Sequence, residues 1–232
     1  MNARALVKKL NLSQEALERV KQSVKAAEEK TSGEIVLALA AESSDYSFWE
    51  LFAAALVSLA LSLLALPFAD EVRDFYESLN WTAPEWYLPA AYLFFAFLLI
   101  LLLFVLFNLI LPLDRIVIPK AFKKRTASAR AMRAFFELGV HSTRERTGIL
   151  IFVSYLERQV RILADEGIAK KIGPDLWSLI AGELAEEIGK KNSEAAFCGA
   201  VQKCGELLAQ YFPADINDNP DELDDGVVIL ER

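Results

Sequence analysis

Cysteine and histidine are scarce in this sequence of 232 residues, which has two cysteines and one histidine. Two cysteines cannot supply the set of disulfides that stabilises a small secreted domain. With a single histidine, His141, they also fall short of the four ligands of a structural Cys/His zinc site. Cys198 and Cys204 are six residues apart and would lie on different faces of a helix, so we predict free, packed thiols rather than a redox pair.

An excess of basic residues is also absent. The chain has 25 lysine and arginine residues against 32 aspartate and glutamate residues, which gives a formal net charge of −7. Proteins that bind nucleic acid usually need a positive field to neutralise phosphates. We therefore expect no nucleic-acid partner.

Familiar catalytic motifs are missing as well. Neither cysteine is followed by an arginine at the spacing that cysteine phosphatases require. Gly182 and Gly189 are separated by six residues, which is too many for a phosphate-binding loop, and there is no G-x-S-x-G nucleophile motif. The sequence therefore contains no recognised phosphatase or hydrolase constellation.

Long apolar runs, by contrast, are prominent, and 54% of all residues are hydrophobic. Leu51 to Ala69 is a run of 19 residues without a charge, and Tyr87 to Leu111 is a run of 25. A helix of about 20 residues crosses the roughly 30 Å hydrocarbon core of a membrane. We predict a transmembrane hairpin over 48–112, with spans at about 49–69 and 87–111, in preference to two buried core helices.

The charges beside these runs predict the orientation of the hairpin. Segment 70–86 has one basic residue, Arg73, against five acidic residues, whereas six basic residues follow the second run within 115–130. Positive charge near a span resists translocation, so both termini and the soluble part are predicted to be cytoplasmic and 70–86 to be an external acidic loop. This corresponds to a multi-pass membrane protein.

The basic cluster after the second span has two further interpretations. We interpret it as a topology signal in preference to a site for anionic lipid headgroups or, as a third alternative, for nucleic acid. The candidate lipid or anion contacts in this cluster are Lys120, Lys123, Lys124 and Arg125.

Helices and strands alternate in the remainder of the chain. Ser13 can cap a helix, and the apolar runs Glu34–Ala40 and Gly148–Ser154 read as buried strands, the second of which forms a hairpin with Gln159–Ala164. A helix beginning at Pro174 and an edge strand near Gly226–Leu230 complete the pattern. The predicted fold class is α/β, a small mixed β-sheet covered by helices as an α/β/α sandwich.

The hairpin divides this soluble domain in sequence. We assign 1–47 to its first part, with a helix and the first strand, and 113–213 to its second part. Residues 214–232 form an acidic tail that carries the edge strand. Two spans return the chain to the same side of the membrane, which allows both parts to share one sheet.

The order of elements and several local strings resemble the TPM domain family, most closely a bacterial branch in which a transmembrane hairpin follows the first strand. The resemblance covers Ser13 to Ala41 and then Ser128 to Leu230. The strings that carry it are Thr31–Val36, Arg146–Ser154, Glu157–Ile162, Ala164–Ile168, Phe212–Pro213 and Glu222–Asp224. The resemblance implies an α/β sandwich; for some members it implies a divalent-cation site and weak phosphatase activity, and for others an accessory role in membrane complexes.

Asp165 and Glu166 are the candidate metal ligands. They follow a strand and precede Gly167. Carboxylate oxygens at this position could hold a hard cation, and Ca²⁺ or Mg²⁺ is the candidate cofactor. Asp175, Glu42 or Asp45 could contribute a further ligand if folding brings one of them near. Alternatively, Asp165 and Glu166 are solvated acids at a helix N-terminus.

Arg146, with Glu157 and Arg158, could bind a phosphate or form a surface salt-bridge network. The sequence identifies no catalytic residue, and enzymatic activity is left open. The function we expect is an integral membrane protein whose TPM-like domain acts as an adaptor or accessory factor of a membrane protein complex; the alternative is a divalent-cation-dependent phosphatase of low activity. Membrane lipid and a protein partner are the expected partners, and a homo-oligomer is left open.

Overall fold

A computed structural model describes residues 3–79, 87–109, 115–214 and 222–231 of the chain. They form two compact units. The first unit combines Met1–Ser44 with Lys120–Arg232, and the second consists of Asp45–Pro119.

The elements are numbered in chain order. The helices are α1 (Ala3–Lys9), α2 (Gln14–Glu28), α3 (Ser47–Ala65), α4 (Ala69–Leu79), α5 (Tyr87–Leu109), α6 (Lys120–Glu137), α7 (Glu166–Ala169), α8 (Pro174–Gly189) and α9 (Ser193–Tyr211). The strands are β1 (Glu34–Ala40), β2 (Gly148–Ser154), β3 (Gln159–Ala164) and β4 (Val227–Leu230).

The first unit contains a mixed four-stranded sheet with the strand order β3-β2-β1-β4. β1 runs parallel to both β2 and β4, with Glu34 opposite Gly148 and Ala40 opposite Ser154, whereas β2 and β3 form an antiparallel pair. The predicted β2–β3 hairpin, the central position of β2 and the edge strand near the C-terminus are confirmed. Strands from both sides of the hairpin segment in sequence therefore share one sheet.

Burial of both sheet faces explains why β1 and β2 are almost entirely apolar, with Glu34 and Ser154 as the polar residues at one end of each. All seven residues of each strand are buried. Successive side chains of a strand point to opposite faces, so Leu37 and Ile151 pack into one hydrophobic cluster and Ala38 and Phe152 into another. The expected α/β fold with a sheet covered by helices is confirmed.

Helices cover each sheet face through amphipathic surfaces. On one face, α2 turns Val20 and Val24 inwards beside α8 and α9, and on the other α6 supplies Ala131 and Phe135. Ser13 caps α2 as predicted, because its hydroxyl oxygen accepts a hydrogen bond from the Ala16 backbone N–H at 3.0 Å.

The second unit contains two helices long and apolar enough to cross a membrane, Ser47–Phe75 and Pro89–Phe107. Most of their large side chains are exposed, for example Phe95 and Leu102 on α5. Polar contacts join the two helices: the Ser58 hydroxyl donates to the Ala96 carbonyl oxygen at 3.1 Å, and the Tyr92 hydroxyl donates to the Ser62 carbonyl oxygen.

The segment predicted as an acidic loop is helical over its first part. α4 begins at Ala69, directly after a 3-10 turn over Leu66–Phe68. Acidic residues in its first turn interact favourably with the helix dipole, and the Arg73 Nε lies 3.0 Å from Glu77 Oε1 one turn further on. Residues 80–86 of the predicted loop and 215–221 of the acidic tail lie outside the described residues.

Candidate functional site

Asp165 closes β3 and begins α7. Its backbone N–H donates to the Gly148 carbonyl oxygen at 2.9 Å, which ties it to the sheet. Its carboxylate Oδ1 accepts from the Glu166 backbone N–H at 2.7 Å as the N-cap of α7, while Oδ2 is buried and has no hydrogen-bond partner among the described residues. Asp165 is therefore a buried carboxylate with one oxygen engaged in capping and one oxygen unbonded.

Glu166 has a different environment from its neighbour. It is exposed, and its Oε1 lies 2.9 Å from Lys170 Nζ. The hydrogen bond and charge of Lys170 lower the pKa of Glu166 below its usual value, with a smaller contribution from Arg146. The next residue, Gly167, has no room for a side chain, because a Cβ at this position would lie 2.5 Å from the Arg146 carbonyl oxygen.

The carboxylates near these two residues do not add a third ligand within the described part of the chain. Within the described part of the chain, no group of three or more His, Cys, Asp or Glu side chains is arranged to hold a metal ion. Asp175 lies in the first turn of α8. The two neighbouring acids thus have different environments: Asp165 is buried, and Glu166 is paired with Lys170.

The predicted arginine group is divided between the two ends of the β2–β3 hairpin. Arg146 precedes β2 and Arg158 lies in the turn after it, so a seven-residue strand, about 23 Å long, separates them in sequence. Glu157 is buried and accepts hydrogen bonds from the Ser43 backbone N–H at 2.7 Å and from the Ser154 hydroxyl. Its carboxylate holds the chain after β1 against the hairpin turn.

The basic residues after the second span lie on the first turns of α6. Lys120, Lys124 and Arg125 are exposed, and Lys123 is half-buried. They form a positive surface at the beginning of the helix that follows the second unit in sequence.

Both cysteines lie on α9, and both are free thiols as predicted. Burial raises the pKa of the Cys204 thiol to about 12. Burial is also the main cause of the raised pKa of the half-buried Cys198. Neither environment favours the thiolate form that nucleophilic or redox chemistry requires.

Three acidic residues that were not predicted as a group meet beside β1. Glu34 and Asp225 are buried, and Glu28 Oε1 accepts from the Ile35 backbone N–H at 2.7 Å. Glu34 Oε2 accepts from the Leu223 backbone N–H at 3.2 Å, so the cluster attaches the start of β1 to the segment before β4. No local pattern in the sequence indicates this grouping, because the three residues come from α2, β1 and the C-terminal segment.

The Glu28 carboxyl group is protonated at neutral pH in this environment. Burial is the main cause that raises its pKa, to about 9. The hydrogen bond from the Ile35 backbone N–H lowers the pKa, whereas a hydrogen bond with Asp225 and the negative charge of Glu34 raise it further. The folded-state pKa lies above the ordinary value, so the contribution of Glu28 to stability is fully present below pH 4.5 and is lost as the pH rises towards 9.

Replacing Glu28 by glutamine is expected to remove this pH dependence, because the amide resembles the neutral acid. Between pH 5 and pH 9 the wild-type chain should lose on the order of a few kcal/mol of unfolding free energy that the variant retains. Urea unfolding in detergent at both pH values measures the difference. The exposed neighbour Glu29→Gln is the control, and a Glu28→Gln variant with the wild-type slope would contradict the interpretation.

A groove of about 580 Å³ follows the outer edge of β3. One wall is the strand from Arg158 to Ala164, and the other is the face of α8 that carries Trp177 and Gly182. The sequence predicted both elements but not that β3 lies at the edge of the sheet, so it did not predict the groove.

Two residues along this groove, on opposite faces of β3, each have a buried hydrogen-bond donor without a partner in the described part of the chain. Trp177 is 5% exposed, and its indole Nε1 has no partner among the described residues. The same holds for the Nε of Arg161. The two charged residues that line the groove, Arg158 and Arg161, are both positive, although the chain as a whole is negative.

Comparison with known proteins agrees with this architecture. A family model described as TPM domain matches residues 115–207, which include α6 to α8, the β2–β3 hairpin and most of α9. The NMR structure of the BA42 protein from the psychrophilic bacterium Bizionia argentinensis is similar, with a TM-score of 0.54, 18% identity and coverage of 94% of each chain. At this identity the likeness shows the fold alone. No curated protein matches the sequence.

Proposed function

We propose, from the premise that this chain carries a TPM domain, that it is a membrane-anchored accessory factor whose sheet-containing unit binds a partner protein. In this proposal α3 and α5 form a transmembrane hairpin in a bacterial inner membrane. The soluble unit and both termini face the cytoplasm, because basic residues follow the second span and acidic residues predominate between the spans.

The observation that carries the proposal is the insertion of two apolar helices between paired strands. The chain leaves the sheet after β1, passes through α3 and α5, and returns as α6 and β2 to pair with β1. Each end of the hairpin is thus continuous with the same folded unit. A double connection of this kind suits a domain that acts at a membrane and does not diffuse away from it.

The basic start of α6 supports the same arrangement. Lysine and arginine residues close to a span contribute about 1 kcal/mol each to attraction towards anionic lipid headgroups. Lys120 and Lys124 are exposed in the first turns after the second unit. We place them, with Lys123 and Arg125, at the cytoplasmic headgroup layer.

Site-specific photo-crosslinking in native membranes tests the accessory function. A benzoylphenylalanine residue is placed on exposed positions of three helices, at Arg133 on α6, Ser178 on α8 and Gln202 on α9. An accessory factor should give the same heterologous adduct in replicate preparations from at least one position. Adducts with this chain alone, or none at all three positions, would overturn the proposal.

A cation-dependent phosphatase is a second candidate, and the unbonded Oδ2 of Asp165 is the observation that favours it. A buried carboxylate oxygen without a donor could accept a divalent cation. Ca²⁺ and Mg²⁺ both prefer such oxygen ligands, and Glu166 is adjacent.

Asp165→Asn separates catalysis from folding at this position. Asparagine is as good an N-cap as aspartate, so the variant should change stability by less than about 1 kcal/mol. If the chain hydrolyses p-nitrophenyl phosphate in the presence of Mg²⁺ or Ca²⁺, the variant should lose that hydrolysis at least tenfold, whereas Glu29→Gln, at the exposed C-cap of α2, should leave it unchanged. Cation-independent hydrolysis, or no loss in Asp165→Asn, would exclude the candidate.

A further inference from the structure

We infer that the open edge of β3 receives an extended acidic segment of the partner protein, which adds to the sheet as a fifth strand beside β3. This inference rests on the proposed accessory function and specifies the chemistry of the partner. The inference depends on three features: the direction in which the backbone hydrogen-bonding groups of β3 point, the groove beside this strand, and the charge of the groove.

The hydrogen-bonding pattern of the β2–β3 hairpin shows which backbone groups of β3 are not used in pairing with β2. The Asp165 N–H donates to the Gly148 carbonyl oxygen at 2.9 Å, and the Gly167 N–H donates to the Arg146 carbonyl oxygen at 3.1 Å. Bonded pairs alternate along an antiparallel ladder. The backbone groups of residues 159, 161 and 163 therefore point to β2, and those of residues 160, 162 and 164 point away from the sheet.

This outward row meets no described strand, because β3 ends the order β3-β2-β1-β4. Exposed edges of this kind are templates for pairing with another chain, and proteins usually protect them with charge, proline or a covering element. Here the edge opens into the groove beside α8, and β3 is only half-buried over its whole length. An added strand would satisfy the outward N–H and C=O groups, and the groove would receive every second side chain.

The charge of the groove identifies an acidic occupant. The buried Trp177 Nε1 faces the α8 side of β3 and can only donate a hydrogen bond, so it requires an acceptor. Arg158 is exposed at the turn that begins β3. A segment with carboxylate side chains supplies acceptors and opposite charge together, whereas a second copy of β3 would bring four arginines to one interface.

Gly182 on α8 provides a variant that closes the groove without disturbing the fold. No atom lies within 4 Å of a Cβ built at Gly182, and the residue lines the groove. Leucine is a better helix former than glycine, so Gly182→Leu should not destabilise α8. Gly189→Leu is the matched control, because it lies on the same helix, has equally open space and does not line the groove.

The test uses the full chain in detergent and a labelled eight-residue peptide that alternates valine with glutamate. We expect fluorescence anisotropy to show saturable binding that Gly182→Leu weakens at least tenfold and Gly189→Leu leaves unchanged. Arg158→Gln should weaken binding and reduce its salt dependence. A peptide with lysine in place of glutamate should bind at least tenfold more weakly.

Hydrogen exchange provides the readout specific to strand addition. The glutamate peptide should slow exchange at the amides of Val160, Ile162 and Ala164, which point outwards, and leave their inward-pointing neighbours unchanged. No binding, equal binding of the two peptides, or no protection of these three amides would overturn the inference.

The crosslinking experiment distinguishes failure of this inference from failure of the accessory function. A heterologous adduct at Ser178, lost in Gly182→Leu, supports docking in the groove. An adduct only at Arg133 or Gln202 would retain the accessory function and overturn the docking site.

Discussion

Replacing Leu98 and Leu102 of α5 by arginine is expected to release the chain from membranes. Both residues lie on one face of the helix near the centre of Pro89–Phe107, and both are exposed. An arginine at the centre of a span costs about 2.5–3.5 kcal/mol on insertion scales, so the pair should cost about 5–7 kcal/mol. The retained fraction after an alkaline carbonate wash measures the effect, and we expect it to fall from nearly complete to a minor part.

The matched control places the same charges on the sheet-containing unit. Leu176 and Leu179 of α8 are also exposed leucines on one helix, and arginines there should leave membrane retention unchanged. Retention of the α5 variant, or release of the wild-type chain by the same wash, would show that the apolar helices do not anchor the protein.

Phe152→Ala is expected to destabilise the sheet on both sides of the hairpin segment. Phe152 is fully buried in the centre of β2, in the same cluster as Ala38 of β1 and Phe135 of α6. Truncating a buried phenylalanine to alanine costs about 3–5 kcal/mol, which is a large part of the stability of a typical domain. Amide exchange should therefore accelerate at least about a hundredfold in β1 as well as in β2.

The control for this change is the neighbouring helix α6. Phe136 is 56% exposed, so Phe136→Ala should alter exchange in the sheet only slightly. If Phe152→Ala accelerated exchange in β2 and left β1 unchanged, the two parts of the chain would not form one cooperative unit.

The elements that the sequence predicts well are those in which burial and local chemistry agree. β1 and β2 are apolar because both their faces are covered, and that gives continuous apolar runs in the sequence. Ser13 is recognisable because N-capping depends on the adjacent turn alone. The same applies to the free cysteines, whose number and spacing already argue against a bridge.

The elements that the sequence does not predict depend on distant contacts. The position of β3 at the sheet edge follows from the pairing of β1 with β2 and β4, which no local pattern encodes. Glu28 has a raised pKa because folding brings Glu34 and Asp225 beside it. α4 was predicted as a loop because its acidic residues were interpreted as a topology signal, although they also favour a helix N-terminus.

The candidate site shows the same division. Asp165 was identified from its position between a strand and a glycine, and its capping role follows from the same local sequence. Its burial and its unbonded oxygen depend on the fold around it. Trp177 and Arg161 were not singled out, because nothing in the local sequence shows that this helix and this strand border one groove.

Cysteine labelling in intact cells shows on which side of the membrane each part of the chain lies. Both native cysteines are replaced by alanine, and one new cysteine is introduced in each of two variants. One variant carries it at Glu77, beyond the first candidate span, and the other at Lys190, at the end of α8. Both side chains are about half exposed. We expect a membrane-impermeant maleimide to label Glu77→Cys in intact cells and to label Lys190→Cys only after the membrane is permeabilised. Labelling of both positions, or of Lys190→Cys alone, in intact cells would contradict a hairpin that crosses the membrane and returns the chain to one cytoplasmic domain.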